Sequence, residues 1–174
     1  MTAVGTKATI KDYQQLPEGS QYQLIDGEII TLPSPSVKHQ KLVGHLYRKI
    51  SDIVEKNDLG TLLLSPMDVY LDDENVVQPD LLFVSKANEV IIQENGIHGA
   101  PDAVIEIMFP DPIYYYHFKK RKLYEKHGVQ EYWLIDPEDN EVIGYHRNKE
   151  GKLAETFRET DILTSTLMDC TVRL

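Results

Sequence analysis

Apolar residues recur along the chain with two periods, and their alternation outlines the fold. In PSPSVKHQKLVGHLYRKISDIVEKNDLG, Leu42, Val43, Leu46, Ile50, Ile53 and Val54 return at helical spacing between a Pro/Ser start and Gly60, which predicts an amphipathic helix. TIKDYQQLPEG predicts a short helix capped by Thr9 and stopped by Pro17 and Gly19. Elsewhere the runs are short and strand-like. YQLIDGEIITL predicts a hairpin turning on Asp26-Gly27, two residues that tolerate positive φ. TLLLSPMDVYL and VVQPDLLFVS predict adjacent strands around the acidic turn DDEN, with Pro66 and Pro79 at bends or edges. DAVIEIMF predicts a further central strand. YYYHFKKRKLYEKHG then predicts a helix closed by Gly128. EYWLIDPEDNEVIGYHRNKEGKLAETF predicts three strands joined by turns at PEDN and NKEG. This order describes a mixed α/β sheet flanked by a few helices, without the βαβ alternation or glycine fingerprint of a dinucleotide fold.

Composition narrows the class. A length of 174 residues with 41% hydrophobic residues suits one domain over 1–174 with a single sizeable core. A single cysteine, Cys170, excludes an intramolecular disulfide and a cysteine metal cluster, and fits a reducing, cytoplasmic setting. MTAVGTKATIKDY lacks the pattern of an export signal, and no run approaches the roughly 18 to 20 apolar residues of a membrane span. A net charge of −10 argues against broad attraction to nucleic acid, so any such site must be local. HFKKRKLYEKH has the required sign, with Lys119, Lys120, Arg121, Lys122 and Lys126 against Glu125. A solvated helix face is the plainer reading of such a run.

Candidate chemistry comes from acids that interrupt apolar strands. Pro-Asp occurs at Asp80 and again at Asp102, each ahead of an apolar run. In DAVIEIMF the alternation puts Asp102, Val104, Glu106 and Met108 on one side and Ala103, Ile105 and Ile107 on the other. Burying a carboxylate is costly unless it is paired or holds a metal, so Glu106 and Asp80 both call for partners. Periodicity alone leaves open that each is a strand-end acid in water or a turn cap. On the basic helix Lys120, Leu123, Tyr124 and His127 fall on one stripe, opposite Lys119, Lys122 and Lys126. Lys120 therefore faces the sheet, and the others face water or a phosphate backbone. Two carboxylates holding Mg²⁺, or Mn²⁺ in its place, with a lysine beside the attacking water, would suit phosphodiester hydrolysis. His39 and His45 lack the spacing of a zinc pair and read as helix-surface or packing residues. Ser34, Ser36 and Cys170 have no nucleophile context.

YQLIDGEII, VVQPDLLFVS, GAPDAVIEIMFP and KLYEKHGVQEYWLIDP resemble, in order, the signature segments of the Uma-type restriction endonuclease family, formerly a domain of unknown function, within the PD-(D/E)XK nuclease superfamily. The similarity runs from about Thr9 to Asp161. It implies a restriction-endonuclease-like fold, a mixed β-sheet flanked by helices, and a Mg²⁺-dependent DNA endonuclease. By the same resemblance Asp80 and Glu106 are the metal ligands, Lys120 serves the attacking water, and Glu28 supports them. Asp102 is left to end the turn after Pro101. The superfamily's usual lysine position is Met108 here, and Lys120 matches the helix lysine that this family uses instead. Phe109-Pro110-Asp111 and Tyr116 depart from the family's pattern, so PIYYYHF either reshapes the site around aromatic contacts to bases or marks drift from activity. Lys119 and Lys122 are expected on DNA. Cutting both strands with one site per chain calls for a homodimer. The alternatives are a catalytically silent DNA-binding or assembly module, and a hydrolase of another phosphate ester; a fold alone does not choose among them.

Overall fold

The computed structural model describes residues 7–17, 21–109 and 114–174, with side chains from His117 onward in the last stretch. Gly19, Pro110, Asp111 and the Tyr116 side chain, which figured in the sequence reading, lie outside the described residues. Helix α1 (Ile10–Tyr13) is a single turn whose start is held by Asp12, the carboxylate accepting the Thr9 N–H at 2.8 Å. Strands β1 (Tyr22–Ile25) and β2 (Glu28–Thr31) form the expected hairpin. Its turn residues Asp26 and Gly27 have φ of 53° and 78°, the left-handed pair that a two-residue hairpin turn requires. Helix α2 (Val37–Lys56) begins where the Ser36 hydroxyl accepts the His39 N–H at 3.1 Å. It buries Val43, Leu46, Ile50 and Val54.

The remaining elements are β3 (Gly60–Leu64), β4 (Val69–Asp72), β5 (Asn75–Val77), β6 (Leu81–Ser85), β7 (Ile92–Gln93), β8 (Gly96–His98), β9 (Ala103–Ile107), α3 (Tyr114–His127), β10 (Glu131–Ile135), β11 (Glu141–Arg147), β12 (Leu153–Thr160), β13 (Ile162–Ser165) and β14 (Cys170–Arg173). The fold is the mixed α/β class with flanking helices, but its strands are divided between two sheets instead of gathered in one. The first sheet runs β2-β1-β5-β4-β8-β7, the second β12-β11-β10-β9-β6-β3, and β13 pairs with β14. Pro66 and Pro79 mark the division. Neither has an N–H to give to a ladder, so the chain leaves the second sheet after β3 and returns to it at β6. Between them the β4–β5 hairpin joins the first sheet beside β1. β3 and β6 still pair, Gly60↔Ser85 through Leu64↔Leu81, and the Ser65 N–H continues to the Asp80 carbonyl at 3.0 Å.

The second sheet is covered on both faces, which explains its nearly continuous apolar strands. On one face α2 packs against Leu62, Leu81, Phe83, Ile105, Trp133 and Ile135. On the other, Leu82, Val84, Val104, Tyr132 and Leu134 meet Leu123 and Tyr124 of α3 and Ile25, Ile30, Val69 and Val77 of the first sheet. Strand alternation in β9 therefore sends Ile105 and Ile107 toward α2 and Glu106 toward α3. Among the described residues no helix is long and apolar enough to cross a membrane.

Candidate active site

Asp80 occupies the last position before β6, where Pro79 has ended the preceding strand. β6 and β9 run antiparallel with Leu81 opposite Ile105, and one further step of that register sets Asp80 across from Glu106. The backbone thus places the two acids side by side. Asp80 Oδ2 accepts the Ile107 N–H at 2.7 Å, so the aspartate caps the end of β9 with one oxygen. Glu106 is 3% exposed, and both its oxygens accept from Lys120 Nζ, at 2.8 and 3.0 Å. Tyr124 O–H donates to Glu106 Oε1 at 2.7 Å. Lys120 and Tyr124 are one helical turn apart on α3, so a single helix face supplies both donors.

Burial pushes the Glu106 carboxyl above its ordinary range; the Lys120 ammonium opposes that and the Asp80 charge adds to it. Burial also holds the Tyr124 phenol well above its ordinary value, with Glu106 pushing the same way. The hydroxyl therefore stays a proton donor.

Two histidines complete the cluster. His39, in the first turn of α2, is 3% exposed and stacks on Phe109 with ring centroids 4.8 Å apart. Its Nε2 stands 3.3 Å from Asp80 Oδ2 without the alignment of a hydrogen bond. It is a buried residue at the site, not a helix-surface one. His117, one turn before Lys120, is 5% exposed, and burial, followed by the Lys120 charge, lowers its pKa to about 4. It is neutral at ordinary pH. The sequence held a signal for both: His39 lies four residues before Val43 on the buried stripe of α2, and His117 three before Lys120.

Asp80, Glu106, Lys120, His39, His117 and Phe109 all line a cavity of about 710 Å³ between the first sheet and the Asp80 end of the second. Glu28 stands apart from this group. It is exposed at the start of β2 and faces Lys119 Nζ at 3.4 Å. Lys119 is half-buried, whereas Lys122 is exposed, with its Nζ 4.5 Å from the centre of the Phe118 ring. Asp102 is the structural member of the Pro-Asp pair: its Oδ2 accepts the Ser85 N–H at 2.7 Å and Asn88 Nδ2 at 3.2 Å, fixing the turn ahead of β9.

Glu131 gives the contrast that sets Glu106 apart. It is equally buried, yet its carboxylate accepts from Trp133 Nε1, Ser165 Oγ and the Thr166 and Leu167 N–H groups at 2.6 to 3.1 Å. These donors, with His146 Nε2 3.6 Å from Oε1, close it off and tie the C-terminal hairpin to β10. Glu106 instead opens on a cavity, with a second acid beside it.

The family model described as "Uma2: Putative restriction endonuclease" matches residues 10–171. The chain belongs to the Uma2 family. A solved structure described as that of "a putative nuclease belonging to DUF820 from Anabaena variabilis ATCC 29413" is similar over 92% of this chain and 90% of that one, with a TM-score of 0.77 and 24% identity. At that identity the likeness speaks for the Uma2 fold. A comparison with curated proteins gives no match.

Proposed function

We propose that this Uma2 chain is a metal-dependent endonuclease that hydrolyses DNA phosphodiester bonds, with Mg²⁺ or Mn²⁺ as its cofactor. The observation that carries this reading is the buried cluster of two carboxylates and one ammonium at the wall of a cavity. With both acids ionised the cluster is one positive charge short, and Asp80 and Glu106 offer the hard oxygens that Mg²⁺ takes. Among the described residues no three acidic, histidine or cysteine side chains stand together at ligand spacing. The protein would therefore supply two carboxylates and leave the remaining positions to water and phosphate oxygens, the usual pattern for Mg²⁺.

When bound, the metal would acidify a water and neutralise charge on the phosphate. Asp80 is oriented for this by the Ile107 N–H, which leaves Oδ1 for a ligand. Lys120 both balances Glu106 and presents an ammonium where a water or phosphate oxygen gains negative charge, a stabilisation worth most in a water-poor site. Tyr124 keeps the Glu106 carboxylate in one orientation. Lys119 and Lys122, on the other side of α3 from Lys120, would meet the DNA backbone outside the cavity. We further propose a cytoplasmic protein, in keeping with its reduced, buried Cys170, and a homodimer, which would present two sites to opposite strands.

The test is cleavage of supercoiled, linear and single-stranded DNA with Mg²⁺, Mn²⁺ or chelator, comparing wild type with Asp80→Asn. Metal-dependent cutting that disappears in the variant is the expected result. Pure wild type that binds DNA and never cuts it would instead establish the silent-module reading.

A further inference from the structure

The cavity with the acids at one end also has an unmatched amide in its wall. Gln23 pairs across the β1–β2 hairpin with Ile30 and shares a strand face with Ile25; both isoleucines line the cavity, as does Gln23. It is 1% exposed, and neither its Oε1 nor its Nε2 has a hydrogen-bond partner among the described residues. An apolar side chain of the same length would avoid that cost, so stability does not explain a glutamine here. Along the Tyr13 wall of the same cavity the polar groups are committed to one another. The Tyr13 hydroxyl lies 3.0 Å from the Tyr22 carbonyl oxygen and 2.8 Å from Asp68 Oδ1, and Gln78 Nε2 donates to the same Asp68 oxygen at 2.8 Å. Tyr13, Tyr22 and Tyr70 line the same cavity but pack with Leu24 and Val76 on the other face of the first sheet, so the surface beside the amide is that of Ile25 and Ile30.

A second observation concerns charge outside the cavity. Lys119 faces Glu28 at 3.4 Å, Lys126 faces Asp72 at 3.0 Å and Lys152 faces Glu125 at 3.1 Å, in a chain of net charge −10. A groove for a duplex needs a run of cations released to phosphates. Here the cations on and beside α3 are largely answered by acids, and a cavity of about 710 Å³ holds a nucleotide or two but no double helix.

We propose that the Gln23 end of the cavity receives one unpaired nucleobase, and that the strand presented to Asp80, Glu106 and Lys120 is therefore single-stranded or locally unpaired. An amide offers an acceptor and two donors in one plane, the complement of a base edge, and Ile25 and Ile30 beside it offer an apolar surface for the base to pack on. The inference rests on the nuclease reading of the same cavity for what happens to the strand, but not for its binding.

The experiment measures fluorescence anisotropy of a labelled single-stranded DNA hexamer, alone and annealed to its complement, with Ca²⁺ replacing Mg²⁺ to hold off cleavage. Wild type should prefer the single strand by about tenfold, and Gln23→Met should weaken that binding roughly tenfold, the scale of one lost bidentate base contact. Its thermal midpoint should stay level or rise, because no internal partner is lost. Gln23→Asn, which retracts the amide but keeps it, should weaken binding as well and serves if Met is not accommodated. Binding unchanged in both variants, preference for the duplex, or a midpoint several degrees lower in Gln23→Met overturns the inference. Asp80-dependent duplex cleavage would in those cases leave the nuclease reading intact. Gln23-dependent strand binding without cleavage under any metal would support the pocket and remove the nuclease reading.

Discussion

Lys120 and Glu106 meet with only 6% and 4% of their side chains exposed, so both charges have left water and each depends on the other. Lys120→Met strands a carboxylate and Glu106→Gln strands an ammonium; each is expected to cost about 3–5 kcal/mol in chemical denaturation. The double variant Lys120→Met/Glu106→Leu should recover most of that loss, since no charge is left behind, and should remain inactive. If Lys120 acts on developing charge, Lys120→Met should also cut the cleavage rate by about 10²–10³ while calorimetric metal affinity changes little; Asp80→Ala should lose both. His117 makes a separate, pH-dependent contribution. Its pKa of about 4 in the fold lies below the 6.5 of an open chain, so between those values the unfolded state holds the extra proton. In chelator the His117 contribution to stability should be full above pH 6.5 and fall on acidification toward pH 4, by on the order of 3 kcal/mol, and His117→Phe should flatten the profile by that amount.

Strand and helix periodicity carried much of the site. Alternation in β9 separated Glu106 from Ile105 and Ile107, and the stripe on α3 put Lys120 with Leu123 and Tyr124, so the pair that meets at 2.8 Å was readable as two independent anomalies. What periodicity did not carry was the allotment of strands to sheets. β4, β5 and β6 each bring apolar residues into the space between the two sheets, and an apolar run does not say which of two buried sheets it joins. Glu28 was reached only by resemblance, and its placement against Lys119 depends on how the first sheet meets α3. At this scale the lysines of α3 should differ. Lys122→Ala should lower the slope of log affinity against log salt for DNA by about one, whereas Lys119→Ala, whose ammonium already faces Glu28, should lower it less. On β11, Gly144 leaves room for Trp133: a Cβ there would come within 2.4 Å of the indole ring. Gly144→Ala should cost about 1–3 kcal/mol, seen as a lower thermal midpoint.

For the molecule as a whole, association and substrate are linked. A dimer by light scattering at assay concentration, with linear cuts in duplex DNA, would fit paired sites; a monomer that nicks or degrades single strands would fit the unpaired-base pocket. The excursion of the chain between Pro66 and Pro79 has a consequence of a different kind. β3 and β6 would pair as neighbours whatever joined them, and the register that puts Asp80 opposite Glu106 belongs to β6 and β9 alone. The β4–β5 hairpin is therefore an insert in a connection, and it carries Tyr70 and adjoins Asp68 and Gln78 on the far wall of the cavity. With Val69 and Val77 kept in the core, substitutions at the cavity-lining positions in and beside that hairpin would change what the cavity admits while the acids and the lysine stay in place. Substrate range and chemistry can then drift on separate clocks within one small protein.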